Sequence, residues 1–321
     1  MKVSVVFMLI LLSTLNFAQI DLRTFDVTKF TGDIPLVSLQ RFLQTDEYVS
    51  VEGNVYKISA NKKFLSKSEI KPELLSDGNF VGLLAMTIDE LRSYDGKKNP
   101  AMVAVNGVVY DVSNSTRWRT GNHQNRHNAG EELTYDILKL SPHGSKLLER
   151  VVPFAVLVFS PEQLSRYSGL NKNKAYVAAF GVVYDMTQSK TIKNGLHFGY
   201  PAGNELTFEI KQQPGHEAML SRIYPIGLLV FDEKNLGNFD GKSVPVASKN
   251  ISAYKSFVQV GNVVYDVTGT NWQEKFGVNP EALAGRDYTS QFECELQESC
   301  SHEHSDASVL KEFAKVGFGI L

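Results

Sequence analysis

Three histidines, His123, His127 and His143, fall in one short stretch of the chain. Imidazole is the side chain that stays neutral near pH 7 while offering a nitrogen to a metal or a proton. Residue types alone leave two readings open, a ligand cluster or the polar residues of a solvated loop. A related set recurs downstream as His197, Tyr200 and His216, and a third as Cys294, Cys300, His302 and His304. The Cys-x5-Cys-x-His-x-His spacing does not fit the usual zinc patterns. In an oxidising compartment a local Cys294–Cys300 disulfide is the expected outcome. No nucleophile–base–acid set, phosphate-binding glycine loop or dinucleotide fingerprint is visible, so a conventional enzyme is not expected. With 33 Lys and Arg against 35 Asp and Glu, the chain lacks the basic footprint of a nucleic-acid binder.

The elements that must position these residues repeat. The run Val-Ala-Val-Asn-Gly-Val-Val-Tyr-Asp-Val at 103–112 returns at 177–186 and 258–267, with a worn copy at 49–58. Each is a β-branched run, a two-residue break and a second β-branched run. That is a hairpin signal, strongest at Asn106-Gly107, where glycine accepts the positive φ of a tight turn. Short helices are predicted ahead of two hairpins, opening at Thr87 and Ser160 with Glu or Gln three residues on, and both ending at glycine. Leu236, Phe239 and Gly241 keep the same offsets further along. Strands are expected to close each copy at 80–86, 151–159, 223–231 and 316–321. Between hairpin and closing strand come Ala129-Gly130-Glu131-Glu132-Leu133-Thr134, Ala202-Gly203-Asn204-Glu205-Leu206-Thr207 and Ala284-Gly285-Arg286-Asp287-Tyr288-Thr289. The first copy lacks this insert.

The sequence therefore divides into a degenerate half-module at 19–85 and three modules at 86–159, 160–231 and 232–321. No low-complexity linker separates them, so they are expected to pack on one another. Ahead of them, Lys2, an apolar run over 3–12 and Ala18 read as a secretory signal peptide over 1–18, cleaved near Ala18. An uncleaved anchor is the alternative, although the run is short for a stable span. The expectation is a soluble secreted or lumenal protein without a stable membrane anchor. The sequons at Asn114 and Asn250 could carry glycans in a eukaryotic host.

Within 86–159 the order is Thr-x-x-Glu-Leu-x-x-Tyr-x-Gly, a Val-Tyr-Asp-Val hairpin, His-x-Ala-Gly-x-x-Leu-Thr, Pro-His-Gly and a closing strand. It resembles the short cytochrome b5-like haem/steroid-binding domain, with Trp118, Gly121, His123, His127, Pro142, His143 and Gly144 in place. The module 160–231 is similar, and 232–321 more loosely so. One departure stands out: cytochrome b5 proper carries His-Pro-Gly-Gly at its first ligand, where this chain has His127-Asn128-Ala129-Gly130, and its two histidines lie further apart.

The resemblance implies an α+β fold of tandem modules, each a β-hairpin plus closing strand with short helices forming a ligand crevice. It further implies a haem b held between His127 and His143, with His123 as the alternative ligand. A helix over 131–141 would separate the two ligands, a second over 145–150 would fold back, and Leu133, Ile137, Leu138 and Leu140 would give apolar cover. Such a protein would carry electrons to a redox partner, or carry haem. In 160–231 the aligned positions are Tyr200 and His216, a pair able to bind ferric haem through phenolate and imidazole, with His197 at the position of His123. In 232–321 they are Ala282 and Glu298, which cannot replace two imidazoles. The alternatives implied by the same resemblance are a sterol-like or other small hydrophobic ligand without redox work, and a purely structural or interaction array.

Overall fold

Asn106 and Gly107 take φ of 52° and 79°, the two left-handed residues that match a tight turn to the twist of its strands. The strands they join, Met102–Val105 and Val108–Asp111, pair antiparallel with Val105 opposite Val108. Three more hairpins repeat the arrangement: Tyr48–Val51 with Asn54–Lys57, Tyr176–Ala179 with Val182–Asp185, and Phe257–Val260 with Val263–Asp266. The computed structural model describes residues 19–242, 255–292 and 307–321. The expected leader at 1–18 lies outside them, as do Asn250, Cys294, Glu298, Cys300, His302 and His304.

The second strand of each hairpin pairs antiparallel with a later strand: Phe80–Thr87, Val152–Phe159, Tyr224–Phe231 and Ala314–Gly319 in turn. All four ladders are irregular at the same Val-Tyr step, where Val81, Phe154, Ile226 and Val316 are the extra residues. An extra residue bends its strand and increases its twist. Past the bulge each of the first three closing strands pairs in parallel with the next closing strand.

The short strand Leu36–Ser38 completes this core. It pairs in parallel with Phe80–Thr87 on one side. On the other, Leu321 donates its N–H to Leu36 O at 2.9 Å, and Ser38 donates to Leu321 O at 3.0 Å. The ladder thus returns to its start and leaves no open edge in the ring of five parallel strands. Ring strands are followed by N-capped helices. Ser38, Thr87, Ser160 and Asp232 accept from the backbone N–H three residues on, opening Leu39–Gln44, Ile88–Ser93, Pro161–Ser165 and Glu233–Leu236. The chain runs from ring strand to capped helix to hairpin and back to the ring, four times.

Strand alternation sends the ring side chains to two cores. Leu84, Met86, Leu157, Phe159, Leu229 and Phe231 pack with the helix residues Leu91, Leu164 and Leu236. Leu83, Val156, Val158, Leu228, Val230 and Phe318 face a second core containing Leu22 and Val27 from the N-terminal segment. Strands buried on both faces must read as continuous apolar runs, which is how the closing segments read. Helices and strands both contribute to the fold, as the α+β expectation required.

The recurring Ala-Gly-x-x-x-Thr segment clamps the outer strand of its hairpin. Gly130, Gly203 and Gly285 each donate an N–H at 2.7 Å, to the carbonyls of Met102, Tyr176 and Phe257. Thr134, Thr207 and Thr289 accept from the turn N–H of Asn106, Phe180 and Gly261 at 2.7–2.8 Å. Glu132, Glu205 and Asp287 in turn accept from the N–H of those threonines at 2.7–2.8 Å.

A lysine from the following module reaches each of the two buried glutamates. Lys174 Nζ donates to the carbonyl of Glu132 at 3.0 Å and lies 3.8 Å from its carboxylate. Lys255, itself buried, meets Glu205 at 3.1 Å and Glu209 at 2.9 Å. The matching position ahead of the 102–111 hairpin is Pro100. The preceding half-module has no insert, and so no carboxylate for a lysine to reach.

Candidate functional site

The segment carrying His123 and His127 starts where Gly121 lies directly on the backbone of Asp95 and Gly96. A Cβ at Gly121 would stand 1.6 Å from the Asp95 carbonyl oxygen, and φ there is +73°, so only glycine fits. Asn122–His123 then pairs antiparallel with His127–Asn128, His123 directly opposite His127. Directly opposed residues share a face of the ladder, and the two imidazoles stack with centroids 6.2 Å apart and planes 17° apart. Trp118 stacks on the other side of His123, at 4.9 Å and 20°.

His123 therefore sits between an indole and a second imidazole. Its Nδ1 is buried without a hydrogen-bond partner. Burial, followed by the charges of His127, Arg117, Arg126 and His143, holds its pKa below the ordinary 6.5. The charge of His143 is the smallest of these influences. His127 is 20 % exposed, with Nδ1 3.9 Å from Asp136 Oδ1. His143 is exposed, its N–H bonded to Ser141 Oγ at 3.2 Å, just ahead of the 3-10 helix Gly144–Arg150.

The link between the ligand candidates is shorter than expected. Residues 131–133 are extended against the hairpin: Ala104 donates to Glu131 O at 3.0 Å, and Leu133 donates to Ala104 O at 2.8 Å. Helical structure begins at Thr134 and becomes a π turn over Asp136–Leu140, closed by Ser141 N–H to Asp136 O at 2.8 Å. The clamp on the hairpin strand competes for these residues and wins. Single π turns of this kind concentrate at functional sites. Leu133 is buried with Trp118 and Ala129, and Ile137 packs beside them. Leu140 corrects the expectation of cover, since it is 59 % exposed.

An iron porphyrin needs neutral imidazole nitrogens and apolar surface. The residues here fit that chemistry: two stacked imidazoles, one with a buried unpaired nitrogen, stand beside Trp118, Leu133 and Ile137, and His143 is exposed on the segment that follows.

In the second module the ring brought against His216 is that of His197, at 6.5 Å and 74°. Tyr200 pairs with His197 across the ladder and packs, half-buried, on the second core. His197 Nδ1 lies 2.8 Å from Thr191 Oγ1. Burial, and then His216, lowers the His197 pKa. Reading by alignment offset selected Tyr200 and gave His197 no role of its own. The missed signal was the two-residue break Phe198-Gly199, which turns the chain directly after His197.

In the third module Ala282 lines a cavity of about 620 Å³, together with Asp240, Lys242, Thr270, Gln273 and Glu281. In the first two modules Gly121 and Gly195 pack on the backbone of the preceding helix end, on Asp95 and Ser168. Here the helix Trp272–Phe276 follows the hairpin instead. The charged lining does not suit a sterol. Among the described residues no three His, Cys, Asp or Glu side chains form a metal-holding group, and no helix is long and apolar enough to cross a membrane.

No protein-family model matches the chain, and no curated protein matches it. Among solved structures it is similar to a cytochrome b5 domain protein from Hadesarchaea YNP_N21, at 44% identity. That match covers 23% of this chain and 96% of the other, with a TM-score of 0.22. A cytochrome b5 domain protein from Methanococcoides burtonii is similar at 36% identity, over 23% of this chain and 95% of the other, also at 0.22.

Proposed function

We propose that the module 86–159 binds one b-type haem, with His127 and His143 as axial ligands and His123 beside them. The observation that carries this reading is the stack of Trp118, His123 and His127 beside an apolar wall, with His123 Nδ1 buried and unpaired. An unsatisfied buried polar atom costs about 1–3 kcal/mol, a cost that a bound polar group removes. Trp118 fixes the His123 ring, and Asp136 faces Nδ1 of His127. A carboxylate in that position orients an imidazole and raises its basicity as a ligand. Gly121 and the Thr134 clamp hold the ligand segment on the hairpin. Two axial imidazoles leave iron no open position, which suits one-electron transfer or haem carriage rather than oxygen chemistry.

The reading extends to a non-enzymatic carrier that acts outside the cytosol, directed there by residues 1–18, with a redox protein as partner. Haemin titration of the full chain tests the haem site. The expected product has a sharp Soret band and split α/β bands on reduction, lost in His127→Ala and in His143→Ala. A wild-type spectrum indistinguishable from free haemin ends the proposal. Loss in His123→Ala with retention in His143→Ala would reassign the second ligand to His123.

A further inference from the structure

The second module holds an arrangement that the first-module site leaves unused. The ladder of Leu196–His197 with Tyr200–Pro201 turns at Phe198-Gly199. Phe198 has φ of +49° and is 71 % exposed. A bulky residue is disfavoured in the left-handed region, and an exposed ring recovers nothing through burial. Burial thus gives little reason for a phenyl group at this turn position, and residues in sparsely populated conformations gather at binding sites. The ring stands edge-on to His197 at 4.7 Å and to His216 at 6.4 Å.

His197 and His216, with ring centres 6.5 Å apart, lie at the wide, near-linear end of the separation two ligands of one ion can have. Metal–nitrogen bonds of about 2.0–2.1 Å put the centres of two ligating imidazoles roughly 5–6.5 Å apart, as the angle at the metal opens from tetrahedral to linear. Thr191 Oγ1 lies 2.8 Å from His197 Nδ1 and 2.7 Å from Ser189 Oγ. In the tautomer that donates Nδ1–H to Thr191, Nε2 is left bare, the outer-shell arrangement usual for a metal-ligating histidine. No third protein donor converges among the described residues. The remaining positions fall to water, or to the nitrogens of a macrocycle.

We propose that His197 and His216 form a metal site of their own, independent of His127 and His143, which takes a borderline transition-metal centre through two imidazoles with Phe198 as its apolar wall. The centre is either a free ion or ferric iron carried in a porphyrin, and the two share this recognition chemistry. Copper(II) is the most sensitive probe for the first source, since it binds nitrogen sites most tightly in the divalent series.

The test uses the full chain with His123, His127, His143, His302 and His304 all changed to alanine, which leaves His197 and His216 as its only histidines. Copper(II) is titrated by calorimetry and electron paramagnetic resonance, and haemin by absorbance. One copper per chain with nitrogen hyperfine structure, weakened at least tenfold by His197→Ala or His216→Ala, supports a free-ion site. A low-spin bis-imidazole haemin spectrum, lost in either variant and weakened several-fold by Phe198→Ala, supports the porphyrin source. Thr191→Val, which keeps both ligands, is expected to weaken either probe several-fold by releasing the ring tautomer. The proposal is overturned if neither probe binds, or if binding is unchanged when both histidines are replaced in a chain whose circular dichroism matches its parent. Because the first-module ligands are already absent, failure here leaves the reading of His127 and His143 untouched.

Discussion

Glu132 offers the sharpest physical test of how the modules are joined. Burial pushes its carboxyl up from 4.5 to about 7, against the lowering influence of Lys174 and Thr134. Its Oε1 accepts from Thr134 N–H at 2.7 Å, while Oε2 has no hydrogen-bond partner. A carboxyl whose folded pKa lies above its unfolded value favours the folded state fully below pH 4.5. That contribution is lost as pH rises through about 7. At 1.36 kcal/mol per pH unit, the span from 4.5 to about 7 corresponds to about 3 kcal/mol. Glu132→Gln keeps an acceptor for Thr134 and removes the titration. Lys174 loses its carboxylate, but its side chain is 42 % exposed and water replaces the partner cheaply. Urea unfolding of wild type and variant at pH 5, 6, 7 and 8 reads the difference directly, because all other titrating groups cancel. The variant is expected to gain on wild type by about 2.5 kcal/mol between pH 5 and pH 8. A difference that stays flat with pH refutes the buried-carboxylate reasoning.

Two further outcomes follow from the same packing. Lys255→Met strands Glu205 and Glu209 without their cation and is expected to cost roughly 3–5 kcal/mol at pH 7. Glu205, already pushed up to about 6 by burial, rises further without the lysine, so the deficit is expected to shrink at pH 5. Adding Glu205→Gln and Glu209→Gln is expected to recover most of it, and a cost below about 1 kcal/mol in the single variant would place the ion pair in solvent instead. Gly121→Ala meets the Asp95 carbonyl and is expected to lose roughly 2–4 kcal/mol in denaturant unfolding. Gly144→Ala, left-handed too but with nothing within 4 Å of the added carbon, is expected to lose only about 1 kcal/mol. Equal losses at the two glycines would mean that backbone conformation, and not the close approach at Gly121, sets the cost.

Local chemistry was legible in the residues. The turn at Asn106-Gly107 and the caps at Thr87 and Ser160 each involve atoms a few positions apart, so spacing alone specified them. The closing strands were visible as apolar runs, within one or two residues of where they lie. The helix at Leu39–Gln44 was legible too, in the Ser38 cap, but the worn state of the half-module hid it. The long helix over 131–141 was misjudged because its sequence suits a helix. A backbone clamp to Met102 and Ala104, which no local pattern encodes, takes its first residues.

The sequence by itself determined the unit: a capped helix, a hairpin with a fixed turn and a closing strand, all settled by contacts short along the chain. Tertiary structure alone decided that the closing strands pair with one another, and that Leu36–Ser38 meets Leu321 to shut the ring. It also decided that lysines 174 and 255 reach buried glutamates of the preceding module, and that His216 faces His197 and not Tyr200. Each of these pairs residues separated by tens or hundreds of positions. Such a pairing depends on which surfaces remain uncovered once the local units have formed, and that is a property of the assembled chain rather than of any stretch within it.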